Sequence, residues 1–80
     1  MREIAAMVGA RMKARRLEAG LSQEEVSERT GIKRAHLSDL EHDKIDISRM
    51  RLGTFYKLCR VLDIEPYELI SEDDLAQQSF

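Results

Sequence analysis

Cysteine, proline and aromatic residues are scarce: one Cys, one Pro, two Tyr, two Phe and no Trp among 80 residues. A lone cysteine excludes an internal disulfide and a multi-thiolate zinc site, and it fits a reducing compartment. One proline and four glycines leave few breaks in a helical pattern, and the apolar residues recur at helical rather than alternating spacing. No apolar stretch reaches the ~20 residues that span a bilayer, and no charged leader precedes an apolar run, so a soluble, unprocessed, cytoplasmic protein is expected. A chain this short makes one domain at most, with a core near the lower limit for unaided folding. Catalysis needs convergent groups in a pocket. Here Cys59 lies on an apolar helical stripe, and His36 and His42 share one short segment without a matching Ser or Cys. No enzyme and no cofactor is expected. His42 beside Asp43 has no second His or Cys at ligand spacing, so no metal is expected either.

A net charge of −2 conceals an uneven distribution. Residues 1–62 hold all 13 Lys and Arg against nine Asp and Glu, a net +4. Residues 63–80 hold six acids (Asp63, Glu65, Glu68, Glu72, Asp73, Asp74) and no base, a net −6. A basic body with an acidic end can still offer a positive face to phosphates, although a solvated surface with an acidic tail would look the same.

Five helices are predicted. The first covers residues 2–19, with Ile4, Val8, Met12 and either or both of Ala5 and Ala19 at 3–4-residue spacing and Gly20 at its left-handed close. Gly9 interrupts it, so residues 1–8 form either part of that helix or a separate turn. Ser22 and Glu25 make a capping box for a short second helix over 23–29, with Leu21 and Val26 placed as a staple. Gly31 breaks the chain, and a third helix over 34–42 carries Leu37 and Leu40 on one side. Residues 43–50 read as a polar, basic loop in which Ile45 and Ile47 are ambiguous. A fourth helix over 52–62 puts Leu52, Phe55, Leu58, Cys59 and Leu62 on one stripe. Pro66 opens a last helix over 66–70 that offers Tyr67, Leu69 and Ile70 to the core. Residues 71–80 form an acidic, amide-rich tail beyond a single 1–70 domain.

Two short helices joined by a tight glycine turn make a helix-turn-helix. The stretches Gly20-Leu21-Ser22-Gln23-Glu24-Glu25-Val26, Thr30-Gly31-Ile32, Leu37-Ser38-Asp39-Leu40-Glu41 and Leu58-Cys59-Arg60-Val61-Leu62-Asp63-Ile64 resemble the lambda-repressor-like (phage repressor and Cro, or XRE) DNA-binding domain over residues 9–70. The resemblance implies an all-α, compact five-helix domain, bacterial or phage-encoded. It implies sequence-specific binding to double-stranded DNA, with the third helix in the major groove. It also implies a buried or half-buried Arg16–Glu41 ion pair and a phosphate-positioning role for Gln23, unless Gln23 only completes the cap.

With Leu37 and Leu40 inward, Ala35, Ser38, Asp39 and His42 face outward, and Lys33 and Arg34 stand at the end of the helix that meets base edges. Arg34 is the leading candidate for a bidentate contact to guanine; Lys33 joins it or holds a phosphate. Ala35 suits a thymine methyl, Ser38 either partner, and Asp39 a cytosine amino group, unless Asp39 orients a neighbouring Arg or rejects wrong sequences. His36 is expected on the helix flank, packed or phosphate-facing, and His42 on the surface. Lys44, Arg49 and Arg51 are phosphate candidates from their charge and loop position. Four departures from the family pattern stand out: Lys33 where a capping Ser or Thr is usual, Ser27 in place of a small apolar residue, an Asp43–Arg51 loop longer than in the shortest members, and Glu65 as a poor cap for the last helix.

The function expected is that of a transcriptional regulator, a repressor acting as a homodimer on a palindromic operator. Phage repressor, restriction–modification controller and antitoxin roles stay open. The alternative is a protein-interaction module or antitoxin on the same scaffold with little DNA binding of its own. Tyr56, Tyr67 and Phe80, on and beyond the last two helices, or residues 1–8, are the candidate dimer contacts.

Overall fold

A serine–glutamate pair fixes the start of the second helix. The Glu25 amide donates to Ser22 Oγ (3.0 Å) and the Ser22 amide to Glu25 Oε1 (2.9 Å), which satisfies two of the donors that a helix start leaves open. The bond from the Ser22 amide, then that from its hydroxyl, holds the Glu25 carboxyl below its ordinary pKa. A computed structural model describes residues 7–45 and 47–70. They form α1 (Val8–Glu18), α2 (Gln23–Thr30), α3 (Arg34–Glu41), a 3-10 turn (Ile47–Arg49), α4 (Leu52–Leu62) and α5 (Pro66–Leu69), with no strand among the described residues.

Between α2 and α3 the tight turn is closed by side-chain hydrogen bonds from Thr30 and Ser27. Gly31 takes a φ of +81°, a conformation that costs a side-chain-bearing residue energy. Thr30 Oγ1 donates to the Val26 carbonyl (2.7 Å) and accepts from the Ile32 amide (3.2 Å). Ser27, the polar replacement in α2, donates its hydroxyl to the Ile32 carbonyl at 2.5 Å, so its burial leaves no unsatisfied group. Lys33 caps α3 with backbone alone, and the helix still begins at Arg34.

The first helix differs from expectation. It begins at Val8, with Met7 extended (φ −73°, ψ 145°) as its N-cap. Ile4, Ala5 and the rest of residues 1–6 lie outside the described residues, as do Asp46 and the acidic tail with Glu72, Asp73, Asp74 and Phe80. Gly9 does not interrupt α1; it lets α1 touch the end of α3. A Cβ there would fall on the Leu40 carbonyl oxygen, 2.7 Å from that of Glu41 and 2.6 Å from the Asp43 carboxylate. The Gly9 amide donates to Asp43 Oδ1 (2.9 Å), so a residue 34 positions away caps α1. Asp43 itself stands at φ +57°.

The core consists of Val8, Met12, Val26, Ile32, Leu37, Leu40, Ile47, Leu58, Cys59, Leu62 and Leu69, with Ile45 and Phe55 packed against it. Helix α1 lies against α3, α4 and α5, and α2 against α3 and α4. Two expected core residues are outside. Leu52 is 68% exposed, because it opens α4 in a first turn where Arg51 and Gly53 are exposed too. Tyr67 is 72% exposed. It sits two positions, about 200° of helix, from the fully buried Leu69, so one turn of helix cannot bury both. Ala19, on the same spacing as Met12, is also exposed.

Arginines of α1 tie down the far end of the chain. Arg15 donates to the carbonyls of Leu62 (2.9 Å) and Asp63 (2.8 Å), where α4 ends with Asp63 at φ +55°. Arg11 donates to the Leu69 carbonyl at the end of α5 (2.9 Å). Cations at carbonyl-rich helix ends satisfy open acceptors and complement the helix dipole. Glu68 accepts from the Glu65 amide (3.1 Å), which closes the start of α5.

Gly9→Ala should lower stability by about 1–3 kcal/mol, the range for overpacking a tight contact. Gly53→Ala adds a Cβ that meets nothing within 4 Å and should leave stability unchanged or raise it. Urea unfolding of both variants is the measurement, and equal midpoints would refute the α1–α3 contact.

Candidate nucleic-acid interface

Eight residues of α3 give about 12 Å of axis, a length that a major groove about 12 Å wide accommodates. Its inner side is fixed by Leu37, Leu40 and Glu41, all buried. At its N-terminal end Lys33, Arg34 and Ala35 are exposed, and farther along Ser38 and Asp39 are half-buried. His36 is exposed rather than packed. His42 is exposed as well, and its Nδ1 donates to the Ser38 carbonyl at 2.8 Å. Lys44, Arg49 and Arg51 are exposed in and just beyond the segment that follows α3.

A buried charge pair ties α1 to the end of α3. Arg16 Nε and Nη2 meet Glu41 Oε2 (2.6 Å) and Oε1 (3.1 Å), with side chains 9% and 1% exposed. Arg16 Nη1 donates to the Leu21 carbonyl (2.9 Å), just ahead of the Ser22 cap. Gln23, half-buried at the first position of α2, gives its Nε2 to Glu41 Oε1 (3.1 Å). One carboxylate near the end of α3 therefore holds α1 and the start of α2 together.

Neither the Asp43 cap on Gly9 nor the Gln23–Glu41 bond was anticipated from the residues. A glycine inside an otherwise helical pattern was the available signal for the first. The second lies between residues 18 apart and leaves no local trace. Arg11 and Arg15, also unmarked, are committed to helix ends rather than to a basic face.

Burial pushes the Cys59 thiol up to about 11, with the Glu65 carboxylate adding to the effect, so at neutral pH it is not a thiolate nucleophile. Among the described residues no group of three His, Cys, Asp or Glu could hold a metal ion, and no helix is long and apolar enough to cross a membrane. A shallow surface groove runs along α4 and α5 past Gly53, Tyr56, Arg60, Ile64 and Glu68.

The helix-turn-helix family model HTH_3 matches residues 12–69. The chain belongs to this family, whose members are helix-turn-helix proteins of the lambda-repressor-like (XRE) type. Among solved structures, it is similar to the N-terminal DNA binding domain of SinR from Bacillus subtilis, with 30% identity and a TM-score of 0.70 over 82% of this chain and 93% of that one. SinR in complex with DNA, described as the master regulator for biofilm formation, gives 29% identity and a TM-score of 0.71 over 81% of this chain and all of that one. The restriction-modification controller protein C.AhdI from Aeromonas hydrophila gives 33% identity and a TM-score of 0.68 over 79% and 91%. No curated protein sequence matches significantly. The family and the fold are those of DNA-binding regulators.

Glu41→Leu should destabilise the protein by about 3–5 kcal/mol, because it leaves the Arg16 guanidinium buried without its counter-charge. Arg16→Met combined with Glu41→Leu should recover much of that loss. Thermal unfolding checks this, and a double variant no better than the single one would show that the charge pair is not the cause.

Proposed function

We propose that this protein is a sequence-specific transcriptional regulator, a repressor that binds a palindromic operator in double-stranded DNA as a homodimer. The carrying observation is the exposed Lys33–Arg34–Ala35 end of α3, presented by a helix whose other side is locked by the Arg16–Glu41 pair. A rigid helix with a basic, solvent-facing N-terminal end suits base readout in a major groove. Arg34 reads a guanine through two hydrogen bonds, Lys33 and Ser38 contact neighbouring edges, Ala35 meets a thymine methyl and Asp39 accepts from a cytosine. Gln23, Lys44, Arg49 and Arg51 hold phosphates on either side. SinR, whose structure in complex with DNA is known, and C.AhdI, a controller protein, support the reading by their similarity.

The homodimer rests on the α4–α5 groove. Tyr56 and Leu52, one helical turn apart, are large and exposed, as is Tyr67. Lys57 lies toward one part of the groove and Asp63, Glu65 and Glu68 toward the other, with Arg60 bordering both. A two-fold axis brings the same patch against itself, so Lys57 and Arg60 of one copy meet the acids of the other. Two copies thereby place two recognition helices for half-sites about one helical turn of DNA apart.

Duplexes selected from a random library supply the test. Affinity should fall steeply with salt, as release of counterions from phosphates demands. Arg34→Ala should cost about 1–3 kcal/mol on the selected site and relax preference at one base pair. Lys44→Ala should weaken all duplexes alike and reduce the salt slope by about one. Binding that is absent or flat with salt would favour the protein-interaction alternative.

For the dimer, Arg60→Glu should weaken self-association at least about tenfold, and adding Glu65→Arg should restore it. Sedimentation equilibrium gives the answer; an unchanged dimer in the single variant would move the interface elsewhere.

A further inference from the structure

Glu41 touches two side chains with different jobs, and the second contact carries a consequence for DNA. Its Oε1 accepts from both Arg16 Nη2 and Gln23 Nε2, each at 3.1 Å, while Oε2 accepts from Arg16 Nε at 2.6 Å. A carboxylate is an acceptor only, so just one end of the Gln23 amide, the NH2 end, can face it. The flipped amide would set oxygen against oxygen around a carboxylate that is 1% exposed, where such a clash is poorly screened. A surface glutamine adopts both orientations freely; this one is held in a single orientation.

We infer that Glu41 is a positioning residue for phosphate binding, locking the Gln23 amide so that its second Nε2 hydrogen serves a DNA phosphate. This rests on the reading of Gln23 as a phosphate ligand. A phosphate is an acceptor, as the carboxylate is, so the same NH2 group bridges the two. Such a bridge would place two anions close together were Glu41 unpaired. Arg16 supplies the neutralising charge with two hydrogen bonds, so the chain Arg16–Glu41–Gln23 ends in a donor without a net negative charge behind it. The buried pair therefore sets what α2 offers the backbone of the duplex, as well as holding the helices together.

A double-mutant cycle on a selected duplex tests the coupling, with circular dichroism showing that each variant is folded at the assay temperature. In the parent, Gln23→Ala should weaken binding about five- to tenfold and lower the salt slope by about one. Glu41→Gln offers Gln23 both a donor and an acceptor, and in that background Gln23→Ala should cost less than about twofold. Should Glu41→Gln fold poorly, Arg16→Met with Glu41→Leu removes the acceptor without stranding a charge and should give the same result. In 15N–1H spectra of the DNA-free parent, one Gln23 side-chain hydrogen should exchange slowly, and that protection should vanish in either background. An equal loss from Gln23→Ala in the parent and in a folded Glu41 variant overturns the proposal. No loss in the parent, with Lys44→Ala still harmful, also overturns it and shows that Gln23 holds no phosphate. Failure of the parent to bind any duplex overturns it together with the DNA-binding reading.

Discussion

The buried Arg16–Glu41 pair is the contact on which the rest of the arrangement depends. It joins the last turn of α1 to the last residue of α3, and through the Leu21 carbonyl and Gln23 it reaches both sides of the Ser22 cap. Helices of eight residues are too short to persist in water on local propensity, so α2 and α3 take their order from what they pack against. Leucine and valine contacts supply most of the driving force but little direction. A bidentate guanidinium–carboxylate pair is directional, and its desolvated charges tolerate little displacement. It converts a slippery apolar contact into a fixed placement of α3 against α1.

That arrangement also explains how a chain with a net charge of −2 can present a basic face. Arg11, Arg15 and Arg16 are turned to carbonyls and a carboxylate within the domain. Lys33, Arg34, Lys44, Arg49 and Arg51 stand exposed in a different part of the chain, on α3 and the segment after it. Charge therefore divides by task. One set closes helix ends and the core, and the other is available to a polyanion. Among the described residues, the acids Asp63, Glu65 and Glu68 gather at α4's end and α5, on elements that do not carry the Lys33–Arg34 face.

What could be read from the residues alone follows from distance along the chain. The Ser22–Glu25 cap, the Gly31 turn, the limits of α4 and the start of α5 at Pro66 are local chemistry, and all stand where the sequence puts them. The exposed position of Ala35 follows from the Leu37 and Leu40 stripe, and those of Lys33 and Arg34 from their place at the start of α3. Gly9 was misread because the atoms that need its missing side chain belong to Leu40, Glu41 and Asp43. Leu52 and Tyr67 were misread because hydrophobicity does not reveal where a helix overhangs its neighbours. The Arg16–Glu41 pairing came from family resemblance; helical spacing puts each on an apolar stripe, Arg16 four residues after Met12 and Glu41 four after Leu37, but does not pair residues on different helices.

The cap that Asp43 places on Gly9 has a bearing on how the domain is made. The start of the first helix is completed by a residue 34 positions later, and the ends of α4 and α5 are closed by Arg15 and Arg11 across 47 and 58 positions. On a ribosome that adds residues from the N-terminus, α1 emerges with its first-turn cap, its ion-pair partner and its apolar neighbours still unsynthesised. The nascent chain must wait for α3 before its first helix has a complete set of partners, and for α5 before its arginines do.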